Sequence, residues 1–350
     1  MYKILKIFLI VVLIPVLTLL FLISYATVTD YRPDSAEHLT NAGTVTIPIP
    51  DSSVISLLIW NIGYCGLDKQ MDFFYDGGKG VRTPTEQFML NYASIDRFLQ
   101  SQDGVDIFLL QEVDIRSKRS YRLNQVERLS GEFDGFISFY GKNYDVFFVP
   151  VPPAQPIGAV NSGLLTLSRL VPSTAIRYSF PGKYGWPTRL FMLDRCFLVL
   201  RIPVSNGKEL LVINTHNEAY DDGSIRDQQM AYLKEFLVEE YSRGNYILVG
   251  GDWNQCPPGF QPAFSGEVFD TIDNKNIEPG YLPADWQWVY DNTLPTNRRL
   301  DIPYTKGETR TTVIDFFLLS PNIKLQVCST IDLKFENSDH QPVRLNIALQ

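Results

Sequence analysis

The sequence predicts an α/β domain, its sheets covered by helices, behind one apolar N-terminal segment. Three observations carry that prediction. Short apolar, β-branched runs recur at Val54–Trp60, Val105–Leu110, Asp145–Pro150, Gly163–Leu167, Cys196–Ile202, Glu209–Ile213, Tyr246–Val249, Thr312–Leu319 and Val343–Ala348, each the length of a strand. Between them, Phe88, Tyr92, Ile95 and Leu99 follow the 4-3-4 spacing of a helix face, with Thr85 in place as its N-cap. Ile225, Gln229, Leu233 and Phe236/Leu237 repeat that pattern ahead of the strand run at Tyr246. Finally, Ile7–Ala26 is a run of 20 residues without a charge, enough for a helix across a ~30 Å hydrocarbon core.

Lys3 and Lys6 precede the apolar run, which keeps the N-terminus cytoplasmic and sends everything after Ala26 outside. A signal peptide is the competing reading. It needs an apolar region of about 7–15 residues and a small-x-small site, which Ser24-Tyr25-Ala26 supplies, leaving a secreted protein cleaved near Ala26. The length of the run favours an uncleaved, single-pass anchor. Residues 27–53 are polar, contain Pro33, Pro48 and Pro50, and read as a juxtamembrane linker. Residues 54–350 read as one large domain, with no internal repeat or low-complexity break. Within it, 257–311 is rich in Pro, Gly, Asn and aromatics and reads as a long irregular excursion, of the kind that usually serves function.

Composition narrows the function classes. With 45% hydrophobic residues the chain is not disordered, and one apolar run excludes a polytopic transporter. Cys65, Cys196, Cys256 and Cys328 are widely spaced with no C-x-x-C, so zinc is not expected; they read as thiols, with up to two disulfides as the alternative. Net charge is −8; without Lys3 and Lys6, 29 basic residues face 39 acidic ones, or −10. That balance suits a long nucleic acid poorly.

The informative pattern lies where strands stop. The run ending at Trp60 is followed by Asn61, and the one ending at Leu110 by Gln111-Glu112. Ile213 leads into Asn214-Thr215-His216, and Val249 into Gly250-Gly251-Asp252-Trp253-Asn254. Asp315 stands inside an apolar run, and Ser338-Asp339-His340 precedes the last strand. Ligand sites of α/β sheets lie at such strand ends. Of three histidines, His38 falls in the linker, while His216 and His340 both fall in these clusters. A carboxylate among Val313, Ile314, Phe316 and Phe317 costs several kcal/mol unless paired. Asp315 therefore either sits at a bulge or edge that reaches water, or holds the imidazole of His340, which we favour.

Trp60-Asn61, Gln111-Glu112, Asn214-Thr215-His216, Gly251-Asp252-Trp253-Asn254, Ile314-Asp315-Phe316-Phe317 and Ser338-Asp339-His340 together resemble, in full and in order, the motifs of the endonuclease/exonuclease/phosphatase superfamily, the deoxyribonuclease I-like fold. The resemblance spans about Val54 to Leu349. It implies a four-layer sandwich of two packed mixed β-sheets flanked by helices, here preceded by one transmembrane helix. It also implies roles. Glu112, with Asn61 and Asp339, would hold a divalent cation, Mg²⁺ or Mn²⁺ by its oxygen donors. His340 would be the general base, oriented by Asp315. Asp252 would position the attacking water or stabilise the transition state. Asn254 and His216 would contact phosphoryl oxygens, with His216, if protonated, offsetting developing charge. AP endonucleases of the superfamily carry an acid two positions after the first Asn; here that position is Gly63, which argues against their activity.

Secondary substrate contacts are expected at Asn161, in Asn161-Ser162-Gly163, and at Arg119 and Tyr121 within a basic cluster with Arg116, Lys118 and Arg122. That cluster equally fits a solvated face. Trp286, Trp288 and Tyr290 alternate at period two and read as a packed hairpin rather than a membrane or stacking surface. The resulting expectation is a phosphodiesterase or phosphatase, Mg²⁺-dependent and acting outside the cytoplasm on a lipid headgroup or small organophosphate, with no protein partner. A membrane-tethered nuclease on DNA or RNA is the alternative, and an inactive binding module the remaining one.

Overall fold

The two helix faces read from the sequence each close a βαβ unit, and these two units organise the molecule. The computed structural model describes residues 2–39, 46–271 and 275–350. Among the described residues are helices α1 (Tyr2–Val28), α2 (Thr85–Gln100), α3 (Gln125–Gly131) and α4 (Ser224–Ser242). The strands, in chain order, are β1 (Ala36–His38), β2 (Val54–Asn61), β3 (Ile107–Asp114), β4 (Ile137–Val149), β5 (Gly158–Ser168), β6 (Thr174–Ser179), β7 (Cys196–Pro203), β8 (Glu209–His216), β9 (Tyr246–Asp252), β10 (Val268–Phe269), β11 (Gln287–Val289), β12 (Asn297–Arg298), β13 (Arg310–Thr312), β14 (Asp315–Leu319), β15 (Ile323–Thr330) and β16 (Val343–Leu349). They form a seven-stranded sheet, β1-β6-β7-β8-β9-β14-β11, a six-stranded sheet, β15-β16-β2-β3-β5-β4, and a small sheet, β10-β13-β12. Helix α2 connects the parallel pair β2–β3, and α4 the parallel pair β8–β9. Both large sheets are therefore mixed.

Because strand side chains alternate between faces, each central strand feeds two cores. Leu57, Ile59, Ile107, Leu109 and Leu164 of one sheet pack against Leu198, Leu200, Val212, Leu248 and Phe317 of the other. On the outer faces, Phe88, Tyr92, Ile95 and Leu99 of α2 cover Leu58, Trp60, Phe108 and Leu110. Leu233 and Leu237 of α4 cover Val199, Leu211, Ile213 and Val249. The result is the expected helix–sheet–sheet–helix sandwich. Each fully buried Leu or Ile contributes about 1.5–3 kcal/mol.

Several expectations are corrected. Thr85 is the first helical residue, and Pro84 occupies the cap position with no side-chain cap. The run 312–319 is broken: β13 ends at Thr312 and β14 begins at Asp315. The run Asp145–Pro150 is only the end of the 13-residue β4. Strands β6 and β15 carried no continuous apolar run; β15 buries Ile323 and Thr330 and leaves most residues between them exposed. The stretch read as a linker is partly woven into the sheet. Residues Ala36–His38 pair antiparallel with Ile176–Tyr178, and Ile49 bridges Val204, while residues 40–45 lie outside the described residues. An edge strand is held by backbone bonds, so it needs no apolar pattern. Trp286 is buried, Trp288 packs on Trp253 and Phe316, and Tyr290 on Phe260; the stripe is packed, but β11 pairs with β14 rather than forming its own hairpin. All four cysteines are free; Cys65, Cys196 and Cys256 are buried and Cys328 half-buried.

Helix α1 stands apart. Its stretch Phe8–Val28 is long and apolar enough to cross a membrane and is exposed along its length, except near its end, where Ala26 is buried.

Candidate active site

Strand direction explains why the polar motifs meet. In each parallel pair both strands finish at the same edge, bringing Asn61 beside Gln111 and His216 beside Asp252. Strand β14 runs antiparallel to β9 with Asp315 opposite Asp252, so its first residue lies at that edge. Strand β16 runs antiparallel to β2 with Val343 opposite Ile59, so the residues just before it, Asp339 and His340, arrive there as well. Two local devices refine the aim. A bulge in β3 between Leu110 and Val113 gives Glu112 a left-handed backbone, φ 55°, and turns it into the cleft. At Gly251, φ 146°, a Cβ would come within 2.1 Å of the Thr215 carbonyl oxygen, so only glycine permits the β8–β9 approach that delivers Asp252.

The cleft has a volume of about 640 Å³, and His340, Asp252, His216, Asn254, Glu112 and Asp339 all line it. The His340 Nδ1 atom lies 2.8 Å from Asp315 Oδ2, and both residues are buried. In this contact Nδ1–H donates to Asp315 Oδ2, which leaves Nε2 facing Asp252 Oδ2 at 3.7 Å and Asp339 Oδ2 at 3.8 Å. Asp252 Oδ2 also lies 3.5 Å from His216 Nε2 and accepts from Asn61 Nδ2 at 3.0 Å. Asp252 Oδ1 accepts the Asn254 amide at 2.9 Å, and the Asn254 side chain donates to the Asn217 carbonyl at 2.8 Å. Trp60 Nε1 donates to the His340 carbonyl at 2.9 Å, and Ser338 Oγ to the Asn61 carbonyl at 2.8 Å, fastening the His340 loop to β2.

The electrostatics are uneven. Burial depresses His340, but Asp315, Asp339 and Asp252 outweigh it and carry the ring well above the usual histidine range. Burial and Arg195 hold His216 well below that range. Burial raises Asp315 to about 6 against the pull of His340. Asp339 rises to about 7 through burial, opposed by His340 and reinforced by Glu112.

Oxygen donors for a cation are present. Asp252, Asp315 and His340 have ligand atoms within 4.8 Å of one another, but Asp315 and His340 are already bonded together, so that group closes on itself. Glu112 and Asp339 remain, two carboxylates lining the same cleft, and their oxygen donors fit a hard divalent ion. Asn61 turns its nitrogen toward Glu112 Oε1, at 3.3 Å, while its oxygen accepts from the Gly63 amide at 3.0 Å. A Cβ at Gly63 would lie 2.9 Å from Asp339 Oδ1, so the acid of the AP-endonuclease pattern has no room there.

The expected secondary contacts are not brought to the centre. Arg119 lines the cleft, but both its forks go to buried Asp114, at 2.9 and 3.0 Å, above the Tyr64 ring; its charge is already matched. Tyr121 packs on Phe88 and gives its hydroxyl to the Thr83 carbonyl at 2.6 Å, outside the cleft lining. Asn161 is also outside the lining, with its Oδ1 buried and unpartnered. Arg116, Lys118 and Arg122 are exposed. Gln111 and Asn214 bond each other at 2.7 Å between the sheets rather than facing the cleft. Three residues went unread. Asn297 Nδ2 lies 3.0 Å from His340 Nε2. Thr296 Oγ1 accepts the amides of Ile314 and Asp315, both at 3.1 Å. Arg195 lies buried beside His216, 3.5 Å from Glu218. Asn297 and Thr296 sit in the irregular 257–311 stretch, where no periodicity points to them.

Two mixed sheets presenting a His–Asp pair, paired carboxylates and amides at one edge define the architecture of a phosphoester hydrolase. The chain belongs to the Endonuclease/Exonuclease/phosphatase family, whose sequence profile matches residues 58–340 and so contains every motif residue of the cleft. Solved structures share the fold. ANGEL2, a 2',3'-cyclic phosphatase in complex with adenosine-2',3'-vanadate, is 16% identical, with a TM-score of 0.55 over 91% of this chain and 99% of that one. The endonuclease/exonuclease/phosphatase from Beutenbergia cavernae is 15% identical, with a TM-score of 0.54 over 85% of this chain and 72% of that one. D. rerio TDP2 complexed with single-strand DNA product is 14% identical, with a TM-score of 0.52 over 84% of this chain and 99% of that one. At such identities the likeness is one of fold. No curated protein matches the sequence.

Proposed function

We propose that the protein is a Mg²⁺- or Mn²⁺-dependent phosphoester hydrolase, anchored by α1 with its domain outside the cytoplasm, acting on a lipid headgroup or small organophosphate. The observation that carries the reading is the His340–Asp315 pair with Nε2 turned toward Asp252 in a cleft lined by Glu112 and Asp339. His340 Nε2 takes the proton of a water held by Asp252, and Asp315 keeps the ring in register. The water oxygen bonds to phosphorus as the ester P–O bond breaks, its electron pair leaving with the alcohol oxygen. Asn254 and His216 hydrogen-bond the phosphoryl oxygens; His216, held neutral, donates a hydrogen bond rather than a charge. Glu112 and Asp339 would hold the cation, and Asn61 Nδ2 orients the Glu112 carboxylate from 3.3 Å. When bound, the cation neutralises phosphate charge and lowers the cost of the departing oxygen.

The test is hydrolysis of vesicles, nucleic acids and a chromogenic phosphodiester, each with Mg²⁺ and with EDTA, by native protein and by His340→Ala. Activity that survives EDTA or the substitution rejects this reading. A tethered nuclease is the second reading, favoured by Lys275 and Arg310 along the cleft. It predicts DNA or RNA turnover that collapses between 50 and 200 mM salt, as expected for about six or more phosphate contacts.

A further inference from the structure

The apolar helix does not end free of the domain. The Tyr25 ring meets Phe147 edge-on at 4.9 Å, Ala26 is buried, and Trp186 Nε1 donates to Thr27 Oγ1 at 3.2 Å. Asp30 lies 3.8 Å from the Arg189 guanidinium, and the Tyr31 ring receives the Lys142 ammonium at 3.9 Å. The chain then enters the seven-stranded sheet as β1.

Both segments that receive the helix also wall the cleft. On β4, Phe147 holds Tyr25 while Tyr144 lines the cleft. After β6, Trp186 and Arg189 hold the helix end while Phe191, Met192 and Leu193 line the cleft. The Tyr144 hydroxyl donates to the Phe191 carbonyl at 2.9 Å and ties the two segments together. Three residues of extended chain, the separation of Tyr144 from Phe147, span at most about 10 Å, little more than the headgroup layer outside a ~30 Å hydrocarbon core. The 21 residues of Phe8–Val28 amount to one such core at the helical rise, so the Val28 end lies at its boundary. Tyr25 and Trp186, 46% and 59% exposed, are the side chains that a membrane interface favours.

We propose that the docked helix end fixes the apolar wall of the cleft, Tyr144 with Phe191–Leu193, at the headgroup level of the leaflet that anchors the protein, so that the substrate is a lipid phosphoester presented from that same bilayer. This rests on the cleft being a phosphoester hydrolase site. The helix is then a positioning device as well as an anchor.

The experiment reconstitutes the full chain into vesicles of phosphatidylcholine, sphingomyelin and phosphatidylglycerol and follows headgroup release with Mg²⁺. Hydrolysis of soluble bis-p-nitrophenyl phosphate is measured in parallel. Two variants uncouple the domain: Phe147→Ser/Trp186→Ser, and the same pair with a 12-residue Gly/Ser spacer between Val28 and Thr29, which leaves the 21-residue span whole. The expected result is a tenfold or greater loss of headgroup release in both, with the soluble ester hydrolysed at the native rate. Undiminished headgroup release in the variants overturns the proposal and leaves the hydrolase reading standing. So does a protein that cleaves the soluble ester or plasmid DNA and leaves every vesicle lipid intact. Native protein whose N-terminal sequence begins just after Ala26 overturns it as well. Failure on all substrates overturns the hydrolase reading itself.

Discussion

His340, at the mouth of the six-stranded sheet, sits among Asp315, Asp339 and Asp252, whereas His216, at the end of β8 in the other sheet, sits beside Arg195 with its Nδ1 atom buried and unpartnered. The two rings share Asp252, at 3.7 and 3.5 Å, and are equally buried, yet one is driven up and the other down. Burial acts on both in the same sense; only the neighbouring charges differ. The difference teaches which wall handles protons. A ring fixed by a carboxylate and facing more carboxylates can accept a proton once a cation relieves that charge. A ring held neutral beside a cation brings one N–H donor and no charge to the substrate.

Substitutions test that contrast, from the largest effect to the smallest. His340→Ala lowers kcat by about 10²–10⁴, the worth of a general base, in a single-turnover assay with Mg²⁺. An equal loss from His216→Gln would erase the distinction; we expect about 10–10³, the range of one oxyanion donor, with the pH optimum unmoved. Glu112→Gln weakens the cation rather than the base: the Mg²⁺ concentration for half-maximal rate rises about tenfold or more, read by metal titration.

A pH experiment isolates the depressed histidine. Below about pH 6.5 the unfolded chain protonates His216 while the folded chain does not, so folding loses about 1.4 kcal/mol per pH unit until the lower folded pKa is reached. Stability from this residue is thus complete above pH 6.5 and drains as pH falls. Urea unfolding at pH 7.5 and 5.5, with EDTA present, shows a smaller acid loss in His216→Gln than in the native chain. An unchanged loss means that the ring is charged in the fold. The smallest effect belongs to Thr296→Val, which removes the acceptor shared by the Ile314 and Asp315 amides; about 1–3 kcal/mol of stability is lost, with kcat reduced severalfold as Asp315 loosens.

Much of this was legible beforehand. Glu112, His216, Asp252 and His340 each follow or precede an apolar run, and a parallel sheet turns that sequence position into a place in space. Arg119 and Tyr121 were picked by proximity in sequence to Glu112, which says nothing about partners. Asp114 and the Thr83 carbonyl claim them, and neither partner is marked by any pattern.

Apolar periodicity and run length by themselves determined the α/β class, the membrane-length helix and the residues gathered at the strand ends, because strand ends and helix faces are local properties with fixed periods; the two-sheet sandwich was implied by the superfamily that the six ordered motifs resemble. Only the tertiary structure decided the opposite pull of neighbouring charges on the two histidines, the turning of Glu112 by a bulge, the entry of Thr296 and Asn297 from an irregular stretch, and the seating of the helix end beside the cleft. Those depend on which charges and surfaces meet across tens or hundreds of residues, where no local period exists to be read.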